Sequence, residues 1–164
     1  MKKYFFILFA FTAISSFSQT DYSKITMAKD ADYKPAEKYA LEASNYLLSK
    51  PLNAKDQQRT AATAFLRKWM EGTPDYTYII DSDIVTKLNS ENEGLIGVYL
   101  AGMTKFSLEN PAKAQDAQLV MVNGIKTMLV YSEKPENKVT MSETLKKLIE
   151  VNKKGELEKL FKSN

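Results

Sequence analysis

The side chains with the types and spacing to do chemistry concentrate in one stretch of the chain. Asp75, Asp81 and Asp83 flank Tyr76 and Tyr78, and Glu91 and Glu93 follow closely. Oxygen ligands at this density suit a hard cation such as calcium, and paired carboxylates suit general acid–base work. Asn89, Glu91, Glu93 and Gly94 echo the first half of an EF-hand loop, but the twelfth position is Leu100, where a bidentate glutamate is required. The EF-hand reading fails there, while a looser oxygen-ligand site over residues 75–93 stays open. The alternative gives Asp81, Ser82 and Ser90 to helix caps and the other carboxylates to water. On that reading the stretch holds no metal and no catalytic residue.

The rest of the catalytic inventory is short. The chain has no His and no Cys, which removes zinc, haem and thiol chemistry and any Ser-His-Asp triad. No Gly-x-Ser-x-Gly elbow, Ser-x-x-Lys pair, Walker loop or Rossmann loop is present. We therefore expect no cofactor. Two other groups remain as candidates. Trp69, Tyr76, Tyr78 and Tyr99 are aromatics with polar tips, the kind that line peptide or glycan grooves and also the rims of helical cores. Gly94, Gly97, Ala101 and Gly102 form a run of small residues that points to close helix packing, most simply against another backbone.

The elements that must position these residues read as helices. Pro35 suits a first helical position, and Ala36, Tyr39, Ala40, Ala43 and Leu47 recur at spacings of three and four up to Pro51. A second helix is expected from Asn53 as N-cap to Gly72 as C-terminal stop. Its buried face is Ala62, Phe65, Leu66 and Trp69, and Arg59, Arg67 and Lys68 lie outside. Tyr76 to Ile80 is rich in β-formers, yet one strand builds no sheet, so it becomes a crossing segment over the helices. A short helix follows from Asp83 to Asn89. Ser90 to Glu93 has capping-box spacing before an apolar helix whose bulky face is Leu95, Tyr99, Met103 and Phe106. Asn110-Pro111 opens a largely buried helix to Ser132, and Thr140 to Glu143 offers a capping box for the last. Gly155 breaks that helix before a final turn.

The N-terminus reads as an address rather than as part of the fold. Lys2 and Lys3 precede an uncharged apolar run from Tyr4 to Ile14, and Ser16 and Ser18 stand at the −3 and −1 positions of a cut before Gln19. That is the layout of a secretory signal peptide over residues 1–18. From Tyr4 to Phe17 a helix would reach roughly 21 Å, short of a hydrocarbon core of about 30 Å, so no stable membrane anchor is expected after cleavage. With Lys2 and Lys3 gone, 21 basic residues face 20 acidic ones. This balance does not suit a nucleic-acid partner. Residues 19–34 form a polar, loosely ordered arm docked through Tyr22, Ile25 and Met27, and residues 35–164 form one helical domain.

Shifted by sixty residues, the chain partly repeats itself. Tyr39, Leu48, Pro51, Ala54, Asp56 and Gln58 match Tyr99, Leu108, Pro111, Ala114, Asp116 and Gln118, and Ser44 and Tyr46 meet Thr104 and Phe106. Each unit reads helix, proline turn, helix. Paired amphipathic helices with Tyr, Ala and Leu at packing positions and a closing proline resemble tetratricopeptide-like (TPR-like) hairpins. Those repeat at 34 residues, where this chain repeats at sixty. The leader ending Ser-Phe-Ser-Gln and the phrase from Trp69 to Tyr78 (Trp-Met-Glu-Gly-Thr-Pro-Asp-Tyr-Thr-Tyr) also resemble uncharacterised exported proteins of Bacteroidota. That likeness runs over most of the chain and implies neither an activity nor site residues.

The expectation is an all-α, single-domain bundle of about five to six helices built from a duplicated hairpin. It would act as a non-enzymatic exported protein, periplasmic or secreted, that engages a protein or peptide around Trp69 to Tyr78. The alternative is a binding protein for a small apolar molecule or glycan, held between the glycine-rich and methionine-rich helices.

Overall fold

The computed structural model describes residues 20–161; the proposed signal peptide, residues 1–18, lies outside them. Among the described residues seven α-helices follow one another: α1 (Tyr33–Ser49), α2 (Gln57–Gly72), α3 (Asp83–Glu91), α4 (Leu95–Glu109), α5 (Ala117–Ser132), α6 (Glu143–Lys153) and α7 (Leu157–Leu160). The chain is an all-α, single-domain bundle, and α7 is the single turn after Gly155 that takes the count past six. None of the described helices is long and apolar enough to cross a membrane.

Helix α4 is central: it packs against α1, α2, α3 and α5, while α6 and α7 pack on α5. Ten of its residues, from Leu95 to Ser107, are buried, as a helix enclosed on most sides requires. Helix boundaries recur at a spacing of sixty. The helices α2 and α5 start and end in register, α1 and α4 end in register, and α3 and α6 start in register.

Several helix starts differ from the sequence expectation, each for a local reason. Helix α1 begins at Tyr33, so Pro35 is its third residue, still inside the turn where no amide is needed as donor. Helices α2 and α5 begin after Asp56 and Asp116, not after Asn53 and Asn110. The Asp56 carboxylate accepts from the amides of Gln58 (2.9 Å) and Arg59 (3.1 Å), and Asp116 accepts from Leu119 (3.0 Å). Asn53 caps only the preceding turn, accepting from Lys55 at 3.0 Å, and Asn110 donates back to Phe106 at the end of α4. The Ser90 capping box does not form, because Ser90 still belongs to α3 and donates to Lys87. Instead Asn89 reaches forward to accept from Gly94 (3.1 Å) and Ile96 (3.0 Å), and Gly94 enters α4 in the left-handed region at φ 92°, where a glycine is favoured. Helix α6 is capped by Ser142, which accepts from Leu145. Thr140 is taken up in a reciprocal pair with the buried Asn92 (3.0 and 2.7 Å).

The N-terminal arm is more ordered than its polarity suggests. Tyr22 stacks on Phe65 with ring centroids 4.9 Å apart, Met27 is buried, and Asp32 ties back to the amides of Ala28 and Lys29. Gly72 is the last residue of α2 rather than a left-handed stop. A Cβ there would meet the Tyr33 hydroxyl at 1.9 Å, so its missing side chain makes room for that ring.

Arg59 is a clear correction. Expected on the outside, it is 4% exposed. Its Nη1 donates to the carbonyls of Leu47 (2.9 Å) and Lys50 (3.1 Å) at the end of α1. Pro51 has no amide proton and turns the chain away, so those terminal carbonyls lack helical partners. Arg59, together with the Tyr131 hydroxyl on Lys50 (2.7 Å), supplies them.

Candidate functional site

The chain between α2 and α3, residues 73–82, carries no regular secondary structure and lies across the bundle. Its aromatic side chains fix it there. Trp69 on α2 meets Tyr76 at 6.2 Å and Tyr78 at 6.0 Å between ring centroids, and the two tyrosines are 6.1 Å apart. All three pairs are tilted by just over 50°, which brings ring edges toward faces. From α4 the Tyr99 hydroxyl donates to the carbonyl of Ile79, and from the turn after α4 Gln115 donates to the carbonyl of Asp75 (3.2 Å). The crossing segment is thus held from both α2 and α4.

The four aromatic candidates have different positions. Trp69 and Tyr99 are 0% exposed; Trp69 donates its ring N–H to the Tyr33 carbonyl at 3.3 Å. A side chain without surface cannot touch a partner, so these two leave the binding set and become its support. Tyr76 and Tyr78 are half-buried. Burial pushes the phenols of Tyr78 and Tyr99 well above their ordinary value, and for Tyr78 the neighbouring Ser107 hydroxyl acts in the opposite sense.

The small residues of α4 do not form one face. A Cβ on Gly97 would meet the Thr63 hydroxyl of α2 at 2.4 Å, and one on Gly102 would meet the Thr127 Cβ of α5 at 2.7 Å. What approaches them is side chains rather than another backbone. Ala101 is buried, and Gly94 lies before the helix, close to Leu52. On α5, Gly124 takes Met103 and the Tyr99 ring within 3 Å of where its Cβ would stand. The seam between the glycine-rich α4 and the methionine-rich α5 is therefore filled at these points by the chain's own atoms.

The carboxylates stay apart. Asp81 pairs with Arg67 (3.4 Å), which also pairs with Glu71 (3.5 Å), while Asp75 lies 3.7 Å from Lys34. Glu91 accepts from Ser142. Among the described residues no three His, Cys, Asp or Glu side chains gather as a metal site needs.

Two open concavities flank Tyr76, and the sequence reading named neither. One of about 500 Å³ is bounded by Asp30, Lys34, Pro74, Asp75, Tyr76, Pro111 and Gln115, where the arm, the start of α1 and the α4–α5 turn meet. The other, about 390 Å³, runs from Met70, Glu71 and Thr73 along Tyr76, Thr77, Tyr78, Ile80 and Asp81. Both have the volume of small-molecule or side-chain sites. A sequence signal for them was present only in part: Pro74 and Pro111 mark the turns, but nothing in the chain says that those turns meet.

Compared with known proteins, the chain matches no family model, no curated protein sequence and no solved structure.

Proposed function

We propose that this is a non-enzymatic exported helical protein that binds a protein or peptide on the ledge formed by residues 76–81 and the two concavities beside Tyr76. One observation carries the reading. This non-helical segment is anchored on its inner side by Trp69 and Tyr99, and it opens outward on two concavities. Anchored aromatic rims beside clefts are where interfaces place their strongest contacts.

We also infer that the bundle is a duplicated unit. The recurrence of helix boundaries at sixty residues supports this and extends the unit from a hairpin to three helices, with Asp56 and Asp116 as matching N-caps; Ser82 and Ser142 hold the same position, but only Ser142 makes a side-chain cap bond. Helix α1 lies against α2 and α4, and α4 against α1 and α5, a neighbour pattern similar to that of stacked TPR-like hairpins.

The test is affinity capture from envelope and culture fractions of the host. The protein should retain a saturable partner that the double variant Tyr76→Ala/Tyr78→Ala loses while far-UV helicity persists. Thr77→Trp, a change at an exposed position, should weaken capture without touching the core. Undiminished capture by all of these variants would overturn the assignment of this face. Capture of no protein would favour a small ligand in the concavities, read as a rise in melting temperature.

A further inference from the structure

Resting on that reading, we propose that the ledge takes its partner as an added β-strand, and that the segment it fits is an extended basic peptide. The chain runs from Tyr76 to Ser82 without a turn or bend. Tyr76 and Tyr78 pack on the same Trp69 ring while Thr77 between them is exposed, the two-residue period of a strand over these three residues; Ile79 and Ile80 are both half-buried against the core. Its ladder is empty. Among the described residues, no backbone N–H from Tyr76 to Asp81 donates a hydrogen bond to the protein, and only the carbonyl of Ile79 in that span accepts one.

The direction of the free groups follows from the bonds that do exist. In an extended chain, alternate residues aim N–H and C=O at opposite edges. The carbonyl of Asp75, in the bend before the extended run, is taken by Gln115, and within the run the edge that carries the Ile79 carbonyl is bonded by Tyr99. That edge faces α4. Tyr76, Tyr78 and Ile80 therefore aim their backbone groups at the other edge. All three border the concavity of about 390 Å³ that the end of α2 bounds with Met70 and Glu71, as do Thr77 and Asp81. A peptide laid there would find free donors and acceptors at strand spacing, the condition for strand addition.

Charge selects the peptide. Around the ledge Glu37 and Asp75 share Lys34, and Glu71 and Asp81 share Arg67, four carboxylates to two cations. A second copy of the chain fits poorly: antiparallel pairing centred on Tyr78 would set Asp75 opposite Asp81 of the other copy, and like charges directly opposite are unfavourable.

The experiment titrates the protein with end-blocked synthetic peptides of alternating lysine and valine, and follows amide hydrogen exchange residue by residue. The expected result is saturable binding that protects the amides of Tyr76, Tyr78 and Ile80 and leaves Thr77 and Ile79 unchanged. A peptide N-methylated along its pairing edge should bind at least about tenfold more weakly, the equivalent of one backbone hydrogen bond. A glutamate–valine peptide should not bind, and Glu71→Gln with Asp81→Asn, both at exposed positions, should weaken the lysine–valine peptide. Uniform protection, indifference to N-methylation or no saturable binding would overturn strand addition. Equal binding of the glutamate–valine peptide would overturn the basic specificity. If tyrosine-dependent capture from host fractions survives either result, the proposed face stands and only this mode of binding falls.

Discussion

Arg59 stands on the buried stripe of α2, three residues before Ala62 and seven before Leu66. Its spacing therefore disclosed a position that its charge concealed. What the sequence did not show is why a cation belongs there, because the carbonyls it serves lie on another helix and are left open by Pro51. Replacing Arg59 with Ala leaves the Leu47 carbonyl without its side-chain donor and should cost about 2–4 kcal/mol, read from urea unfolding. Arg67→Ala, on the surface with its carboxylates, should cost less than about 1 kcal/mol. Gly124 makes a second residue-scale prediction. Helix propensity alone favours Gly→Ala by roughly 0.8–1.0 kcal/mol, yet a Cβ would sit 2.5 Å from Met103 Cγ and 2.9 Å from the Tyr99 ring. Overpacking should win, and Gly124→Ala should destabilise the protein by about 1–3 kcal/mol.

At the scale of elements, the apolar periodicity located the helices, and the caps set their starts. Asp56 and Asp116 were visible as matches in the sixty-residue comparison, but Asn53 and Asn110 beside the prolines drew the expected starts three and six residues too early. The structure puts an extended backbone at both aspartates (φ −78° and −90°) with the carboxylate on the first free amides, the geometry of an N-cap. Asp56→Ala and Asp116→Ala should each cost about 1 kcal/mol, and Asn53→Ala should cost little, as thermal melts of the four single variants with Asn110→Ala would establish. Asp56 should be the more sensitive of the pair, since its other oxygen also accepts from the Tyr46 hydroxyl at 2.9 Å. Which helix touches which was not legible: two helices with similar apolar faces carry no sign that one of them, α4, will be surrounded.

For the whole molecule, the all-α class followed from residue patterns along the chain, whereas the ledge depends on Trp69, Tyr99 and Gln115 arriving from separate elements. The same burial has a pH consequence. Desolvation raises the phenols of Tyr22, to about 12, and of Tyr78 and Tyr99, above their ordinary value of 10.0. A phenol with a raised folded-state pKa holds its proton more tightly in the folded chain. The stability it contributes is complete below pH 10.0 and is lost as the pH climbs through the folded values. The melting temperature should therefore fall progressively above about pH 10, while tyrosine absorbance shows these phenols ionising together with unfolding.

The most direct test of the binding face is amide hydrogen exchange on the folded protein without any partner. The amides of Tyr76 to Asp81 should exchange freely, while those in the middle of α2 and α4, which hold the segment in place, remain protected. Protection across Tyr76 to Asp81 matching that of the helices would mean that the edge is already occupied, and would contradict both the ledge as a binding face and strand addition upon it.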